Sequence, residues 1–331
     1  MSGTAGGTER ITERIERLST LEGAVRSPAP PLPRSAKIEL TSRCNYACGF
    51  CAAQLRGNSR HDLPWALYTR LARELRAAGV EQLGLFYIGE SLLYERLADA
   101  VRYAKRECGY PYVFLTTNGV LATGERVREL MLAGLDSLKF ALNFADAGQL
   151  AHGAGTASAN FEDLLQNVLD ACRIRDEVHA QTGRRCAVSA SSLLYDRLQP
   201  QRAGKALARV TPHLDQHYWL PLYGRTQAWV SGSSPDPANP PAVSRKPLPC
   251  WPLFTEAHIT AEGRLSACGL DNSARFHMGD LRVSSLRDAW HAPHFQALRA
   301  AHLRHDVSAT ACALCVAYSR PPTADRPEHR R

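Results

Sequence analysis

The hydrophobic and polar positions of this chain alternate in a regular way from residue 36 onward. Short apolar runs predict six strands, at 36–41, 82–87, 111–116, 136–142, 186–194 and 216–222. Amphipathic segments between them predict five helices, at 62–79, 94–108, 124–133, 160–179 and 199–209. Strands that alternate with helices form a parallel sheet. Six units are too few for a closed eight-stranded barrel, so the pattern predicts an α/β fold with an open, partial barrel and its chemistry at the carboxyl ends of the strands.

Segments of different composition flank this region. Residues 8–26 predict an amphipathic helix, which a proline-rich linker over 27–33 follows. Residues 230–249 are rich in Pro, Ser and Gly, and after them come a hairpin with its turn at 262–263 and helices near 284–304. The predicted division is a helix and linker at 1–35, the partial barrel at 36–229, a linker or lid at 230–249, a small α+β domain at 250–318 and a disordered tail at 319–331.

Composition limits the class of protein without choosing one. The chain has 331 residues, of which 44% are hydrophobic and 22% charged, so it is neither collagen-like nor largely disordered. Its net charge is +8, but Arg and Lys are scattered among acidic residues, so no nucleic-acid partner is expected. No apolar run has the length of a signal-peptide core or a bilayer span, so we expect a cytoplasmic protein without a membrane partner. The ten cysteines would then stay reduced, and their spacing becomes the main clue to chemistry.

Three of these cysteines lie on one short loop after the first predicted strand. Cys44, Cys48 and Cys51 are separated by three and then two residues in SRCNYACGFC. Three thiolates at this spacing can hold three irons of a [4Fe–4S] cluster and leave the fourth iron open to a substrate or cofactor. A zinc knot or three buried cysteines would explain the same residues, but a zinc knot needs a fourth ligand and none lies nearby in the sequence.

This cysteine loop resembles the signature of the radical SAM superfamily. The resemblance implies a partial (β/α)6 TIM-like barrel that binds S-adenosylmethionine (SAM) at the cluster. It also implies cofactor-binding roles for Phe50 before the third cysteine, Gly89 and Glu90 after the second strand, Asn118 after the third strand and Asn143 after the fourth. In the family, the aromatic residue lies on the adenine side of SAM, and the glutamate accepts hydrogen bonds from the methionyl ammonium of SAM.

The chain departs from the family pattern at two positions. Ile88 stands where relatives carry the first glycine of Gly-Gly-Glu, and Ala141 stands where many carry serine. A ribose contact from Ala141 is therefore in doubt, and Asn143 is the better candidate for that contact.

A second set of cysteines has four members and so describes a closed site. The segment GRLSAC and the final Cys-Ala-Leu-Cys resemble the twitch and SPASM modules of radical SAM enzymes. The resemblance implies a small C-terminal α+β domain with one auxiliary [4Fe–4S] cluster, which makes two clusters in all. Zinc is the alternative, because four thiolates suit either metal. The proposed ligands are Cys250, Cys268, Cys312 and Cys315.

The remaining three cysteines belong to neither proposed cluster site. Cys108 and Cys172 follow apolar residues at helical spacing, as core positions do. Cys186 opens a predicted strand and could donate a hydrogen atom to a substrate radical; the alternative is an ordinary buried thiol.

The resemblance implies an enzyme that reductively cleaves SAM to a 5′-deoxyadenosyl radical, which takes a hydrogen atom from the substrate. With the auxiliary cluster as electron acceptor, the predicted reaction is a two-electron oxidation of a carbohydrate-like or other small-molecule alcohol. One alternative is a peptide-modifying enzyme that forms thioethers or epimerises residues. Another is a non-enzymatic Fe–S or zinc binding module. The expected partners are a small-molecule or peptide substrate and a flavodoxin- or ferredoxin-like electron donor.

Overall fold

Strands and helices alternate along the chain as the sequence pattern predicts. The structure is a computed structural model that describes residues 10–51, 53, 60–155, 160–221, 246–269, 276–315 and 318–319. Its core is a parallel sheet that curves into an unclosed barrel, with a small C-terminal region that contributes antiparallel strands. The predicted fold class is confirmed.

Six parallel strands form the barrel wall, and each overlaps a predicted strand. They pair with one another in chain order. Because all six run in the same direction, their carboxyl ends meet at one edge, which we call the barrel mouth. The strands are β1 (Ser35–Ile38), β2 (Gln82–Gly84), β3 (Tyr112–Thr117), β4 (Ser137–Ala141), β5 (Ala187–Leu194) and β6 (Gln216–Pro221).

Helices connect the strands on the outside of the barrel. Side-chain caps define where two of them begin, since Thr123 accepts a hydrogen bond from the third residue of α4 and Asn160 accepts one from the second residue of α6. Helix α5 lies in a segment where no helix was predicted. The helices are α1 (Ile11–Ser19), α2 (Trp65–Ala77), α3 (Leu97–Arg102), α4 (Gly124–Ala133), α5 (Ala147–Gly153), α6 (Phe161–Thr182) and α7 (Gln199–Val210).

The C-terminal region continues the barrel sheet past β1. Its elements are β7 (Lys246–Pro247), α8 (Pro252–Thr255), β8 (Glu256–Ile259), β9 (Arg264–Ser266), β10 (His277–Asp280), α9 (Leu286–Trp290), α10 (Pro293–Leu303) and β11 (Tyr318–Ser319). Strand β8 pairs in parallel with β1, and β9 and β10 follow in antiparallel, so the sheet order is β10-β9-β8-β1-β2-β3-β4-β5-β6. The predicted hairpin is present. Its first strand, β8, pairs with the edge of β1, whose backbone groups would otherwise lack hydrogen-bond partners.

Alternation along β4 separates the apolar core from the barrel interior. Leu138 and Phe140 are buried against the surrounding helices, whereas Lys139 and Ala141 are half-buried on the opposite face. The barrel therefore has an apolar outer layer and a lining that contains polar side chains.

Helix α1 covers the amino end of the barrel. It is shorter than the predicted helix at 8–26. The guanidinium of Arg14 reaches the rings of Tyr112 and Phe114 at 4.4 and 4.1 Å, and the side chains of Thr12 and Gln216 share a 2.6 Å hydrogen bond. The positive guanidinium over two ring faces is a cation–π arrangement. The helix thus closes the end of the barrel opposite the mouth.

Several predictions concern segments outside the described residues. These are the first nine residues, residues 230–245 of the linker or lid predicted at 230–249, and the tail after Ser319; the last four residues of that predicted linker are described and include β7. Across the described residues, no helix combines the length and apolar character needed to cross a membrane.

Candidate functional site at the barrel mouth

The three-cysteine loop leaves the mouth end of β1 and is held at its start by an acidic side chain. The hydroxyl of Thr41 donates to the Asp62 carboxylate at 2.6 Å, and Arg43 forms an ion pair with the same carboxylate at 2.6 Å. The Arg43 guanidinium also donates to the carbonyl of Leu93 at 2.8 Å. The chain therefore enters the loop in a fixed direction.

The middle of the loop is held by the end of α5. The backbone N–H of Ala47 donates to the carbonyl of Ala154 at 2.7 Å. Gly155 follows with a φ of +61°, and a Cβ there would lie 2.9 Å from the Ala47 oxygen. Glycine is needed at this position both for its left-handed backbone and for the close approach. Helix α5, which sequence patterning missed, thus has a role in shaping the loop.

The three thiols of the loop influence one another electrostatically. Burial raises the pKa of Cys48, and the nearby Cys51 and Cys44 raise it further. Backbone amides point at two of the sulfurs, from Tyr46 to Cys44 at 3.5 Å and from Ala53 to Cys51 at 3.5 Å. Such a thiol is neutral by itself and becomes a thiolate on binding a metal, and N–H groups directed at sulfur suit a cluster ligand.

The loop after β2 packs directly against the cysteine loop. The backbone N–H of Glu90 donates to the carbonyl of Arg43 at 2.8 Å. A Cβ on Gly89 would lie 2.1 Å from the Thr41 carbonyl oxygen and 2.9 Å from that of Arg43. Gly89 is therefore the residue that lets the two loops touch, and its cofactor-binding role stays a prediction.

Glu90 is buried, and both of its oxygens face the chain's own donors. One accepts from the Leu92 amide at 3.0 Å and the Thr117 hydroxyl at 2.8 Å, and the other accepts from the Asn118 amide at 2.8 Å. Burial raises the pKa of Glu90, although these hydrogen bonds oppose the rise. Its contact with a methionyl ammonium stays a prediction; the geometry shows that it links the β2 and β3 loops.

Asn118 extends this link to the cysteine loop. Its side-chain amide donates to the Asn45 side chain at 2.8 Å, next to Cys44. Its side-chain oxygen accepts from the Val120 amide at 3.2 Å, which holds the side chain in place. The Asn-Gly turn after β3 therefore supports the candidate cluster ligands.

An aromatic wall stands beside the loop. The Phe50 ring lies 6.2 Å from that of Phe144 and 5.9 Å from that of Tyr195, which follows β5. The Tyr195 side chain is buried, and its hydroxyl has no hydrogen-bond partner within the described residues. Tyr195 was missed by sequence reasoning, although its place directly after a strand at the barrel mouth is a usable signal.

The two other predicted residues of the barrel lie at its opposite ends. Asn143 follows β4 at the mouth, on the half-buried face that Lys139 and Ala141 share. Cys186 precedes β5 at the amino end and is buried. Because β5 spans eight residues, the thiol is about 25 Å from the mouth end of the strand. Its predicted role as a hydrogen donor would need a substrate at that far end.

The second set of cysteines lies in the C-terminal region. Cys312 lies within a single 3-10 turn (Ala311–Leu314) and Cys315 ends it, where the Cys315 amide donates to the Cys312 carbonyl at 3.0 Å. Burial raises the pKa of Cys312 to about 12, and Cys315 adds to the rise. The Cys250 amide donates to Nδ1 of the buried His302 at 3.3 Å, whose pKa burial lowers to about 4. The neutral imidazole thus orients the Cys250 backbone.

Cys268 connects this region to the barrel mouth. It follows β9, and its carbonyl accepts a hydrogen bond from the phenol of Tyr87, the residue before Ile88. The Tyr87 ring stacks on His258 of β8 with centroids 5.4 Å apart. The candidate auxiliary ligand therefore contacts the residue that precedes the Gly89–Glu90 motif.

The donor chemistry of both cysteine sets fits iron–sulfur clusters. Within the described part of the chain, no three Cys, His, Asp or Glu side chains converge tightly enough to enclose a single metal ion. A cubane cluster is larger than one ion and holds its thiolates further apart. Cysteine sulfur is the ligand that such clusters require, and three thiolates leave one iron for another ligand.

The barrel region and the C-terminal region each match a known protein family. Residues 38–197 match the radical SAM superfamily, and residues 250–316 match SPASM, an iron–sulfur cluster-binding domain. The first match includes the three-cysteine loop, and the second includes all four remaining candidate ligands. Radical SAM and SPASM domains have SAM and [4Fe–4S] clusters as cofactors.

Two relatives share part of the sequence. A GTP 3′,8-cyclase of Synechococcus sp. (strain CC9902) is 39% identical over 138 residues, which are 40% of this chain and 39% of that protein. A PqqA peptide cyclase of Streptomyces rochei is 36% identical over 138 residues, which are 41% of this chain and 37% of that protein. The similarity thus spans about two fifths of the length of these relatives.

Solved structures share the fold over most of the chain. BtrN in complex with AdoMet and 2-DOIA has a TM-score of 0.51 and 18% identity, covering 82% of this chain and 87% of that one. Streptococcus suis SuiB bound to the precursor peptide SuiA has a TM-score of 0.55 and 13% identity, covering 86% and 69%. These structures show the fold, and the two domain matches, the first of which includes the cysteine loop at the barrel mouth, show that the chain belongs to the radical SAM superfamily and carries a SPASM iron–sulfur domain.

Proposed function

We propose that this radical SAM enzyme oxidises a carbohydrate-like or other small-molecule alcohol by two electrons. Cys44, Cys48 and Cys51 would hold the cluster that binds SAM, and together these cofactors supply a 5′-deoxyadenosyl radical. For a secondary alcohol, loss of the carbon-bound hydrogen atom to this radical, then of the hydroxyl proton and one electron, leaves a ketone. A flavodoxin- or ferredoxin-like donor would supply the electron that SAM cleavage consumes. Cys250, Cys268, Cys312 and Cys315 would hold the auxiliary cluster, which would serve as acceptor for the electron that the substrate loses.

The observation that carries this proposal is the hydrogen bond from Tyr87 to the carbonyl of Cys268. It joins the SAM-side loop after β2 to a candidate ligand of the auxiliary cluster. The pairing of β8 with β1 over four residues supports the same junction. An electron acceptor built against the barrel mouth is what a net oxidation needs, whereas a distant structural cluster would need no such junction.

The chain's own residues would orient the cofactor and exclude water. Gly89 lets the β2 loop lie against the cysteine loop, and Glu90 with Asn118 holds the neighbouring β3 loop. The apolar face of Phe50, against Phe144 and Tyr195, suits the adenine. Asn143 at the end of β4 offers an amide for the ribose. A dry, pre-formed wall of this kind protects a reactive radical from side reactions.

The proposal is tested with anaerobically reconstituted protein. Two four-iron clusters predict about eight irons per chain. Replacing Cys44, Cys48 and Cys51 together with Ala should remove one cluster and abolish formation of 5′-deoxyadenosine, measured by liquid chromatography. Replacing Cys108 with Ala is the matched control, because this cysteine lies in neither set. If the triple variant still cleaves SAM, the assignment of this loop is wrong.

Peptide modification is the second candidate, and the relatives support it. One relative is a PqqA peptide cyclase, and SuiB was solved with a precursor peptide. Mass spectrometry separates the two reactions after cell extract is treated with enzyme, dithionite and SAM. Loss of two hydrogens from a small hydroxylated compound supports the alcohol oxidation, whereas a crosslinked or epimerised peptide contradicts it.

A further inference from the structure

A lysine lies inside the barrel. Lys139 is on the inner face of β4, two residues before Ala141 and four before Asn143. Its ammonium lies 5.9 Å from the centroid of the Tyr218 ring on β6. Tyr218 and Ala141 both pair with Ser191, so Tyr218 stands one inward-facing layer nearer the mouth than Lys139. The ammonium thus lies inside the barrel beside the Tyr218 ring, with the charge of Arg14 acting on it from the amino end.

No carboxylate among the described residues forms an ion pair with this ammonium. The neighbouring charges that act on it are the cations Lys37 and Arg14. The Lys37 ammonium pairs with Glu256 at 2.7 Å, so that acid is already engaged. Burial first, and then these two cations, lower the pKa of Lys139 to about 8. An ammonium buried among other cations is costly unless an anion joins it.

Two serines lie on the neighbouring strand β5. Ser189 pairs with Lys139 across β4 and β5, and Ser191 lies within hydrogen-bonding reach of Tyr218. Both serines are buried. A cation next to buried hydroxyls is a common arrangement for binding an oxyanion, because the hydroxyls donate to the oxygens that the cation attracts.

We propose that Lys139 binds an oxyanion group of the substrate, a carboxylate or a phosphate, inside the barrel. The substrate is then a hydroxylated compound that carries a negative charge, and Lys139 determines its orientation below the radical. This inference rests on the proposed function for the presence of a substrate in the barrel. It narrows that function, because a neutral sugar or alcohol would leave the ammonium without a partner.

The test measures the titration of Lys139 itself in the anaerobic holoenzyme. The chain has five lysines, so labelling them with ¹³C at Cε gives a spectrum with few signals. Lys139→Arg removes one signal while keeping the charge, which identifies Lys139. Acetate and methyl phosphate are the probes, and glycerol is the neutral control. Each anion that binds should raise the half-titration pH of Lys139 by about one unit, which corresponds to tenfold tighter binding to the protonated form.

Acetate and methyl phosphate show whether Lys139 prefers a carboxylate or a phosphate. The anion that raises the half-titration pH of Lys139 more indicates which group the substrate carries. The exposed Lys205 is an internal control whose titration should not change. An unchanged Lys139 signal with both anions overturns the inference, and so does a full shift caused by SAM alone. If the wild type forms no 5′-deoxyadenosine while the anions shift Lys139, the proposed function fails and the anion site stands.

Discussion

One carboxylate oxygen of Glu39 accepts a hydrogen bond from the backbone N–H of Ala261 at 3.1 Å, in the turn between β8 and β9. The other oxygen accepts from the amides of Ile88 at 3.1 Å and Gly89 at 3.0 Å. A single buried side chain thus joins the loop after β2, which packs on the three-cysteine loop, to the C-terminal region. These amide contacts give Glu39 a structural role.

Replacing Glu39 with Gln should destabilise the fold by about 1–3 kcal/mol, because the new NH₂ group faces backbone donors and leaves at least one amide unsatisfied. Urea unfolding of the anaerobic holoprotein measures the change in free energy. Glu81→Gln is the matched control, since Glu81 forms an exposed ion pair with Arg34 and its loss should cost under about 1 kcal/mol. Equal losses of unfolding free energy in the two variants would contradict the role of Glu39 in joining the two regions.

Gly89→Ala should strongly reduce SAM cleavage. The added Cβ would lie 2.1 Å from the Thr41 carbonyl oxygen, a backbone atom that cannot move without displacing the cysteine loop. The control is Gly204→Ala on α7, where a Cβ meets nothing within 4 Å and should stabilise the helix by about 0.5–1 kcal/mol. Formation of 5′-deoxyadenosine by each variant gives the comparison, and undiminished activity of Gly89→Ala would show that the two loops need not touch.

Replacing Cys312 and Cys315 with Ala should separate SAM cleavage from substrate oxidation. If they hold the auxiliary cluster, the double variant keeps slow, uncoupled formation of 5′-deoxyadenosine and makes no oxidised product. Iron content should fall by about four per chain. Iron analysis and product mass spectrometry are done on the same sample. Full turnover by this variant would eliminate the auxiliary cluster as electron acceptor.

Cys186→Ala tests the hydrogen-donor hypothesis. The thiol lies at the amino end of β5 and contacts the carbonyl of Ala187, and the SAM-side residues lie at the other end of that strand. If Cys186 donates hydrogen, its loss changes the product or its incorporation of deuterium from D₂O. From the placement we expect an unaltered product and unaltered deuterium content, which would leave Cys186 as a buried structural thiol.

The ion pair between Lys37 and Glu256 should make stability depend on pH. Burial raises the pKa of Glu256, but Lys37 and His258 lower it by more, so its net value is below the ordinary 4.5. This contribution is complete at pH 7 and is lost as pH falls below about 4.5. Lys37→Met leaves a buried, poorly compensated carboxylate and should cost about 3–5 kcal/mol at pH 7.

Urea unfolding of the Lys37→Met variant at several pH values checks this prediction. The difference from wild type should be largest near neutral pH and shrink in acid. Adding Glu256→Gln in the same chain should recover part of the loss, because the unpaired charge is gone. A difference that does not depend on pH would contradict the role of the ion pair.

Much of the fold could be predicted because its local signals are strong. All six strands of the barrel overlap apolar runs that are visible in the sequence. Helix α5 was missed because Ala147–Gly153 is short and its neighbours gave no clear period. Tyr195 was missed because an aromatic residue after a strand is common, and its contact with Phe50 is made across the barrel mouth.

The order of strands, the cysteine spacings and the glycine and glutamate after β2 were determined by the sequence alone, since each depends on residues close together in the chain. Only the tertiary structure decided that β8 joins β1, that Tyr87 contacts Cys268, and that Lys139 has cations for neighbours. These contacts join residues far apart in the chain. Hydrophobic periodicity does not predict such pairs. They depend on which strand pairs with an exposed sheet edge and on which charged side chains become neighbours when the chain folds.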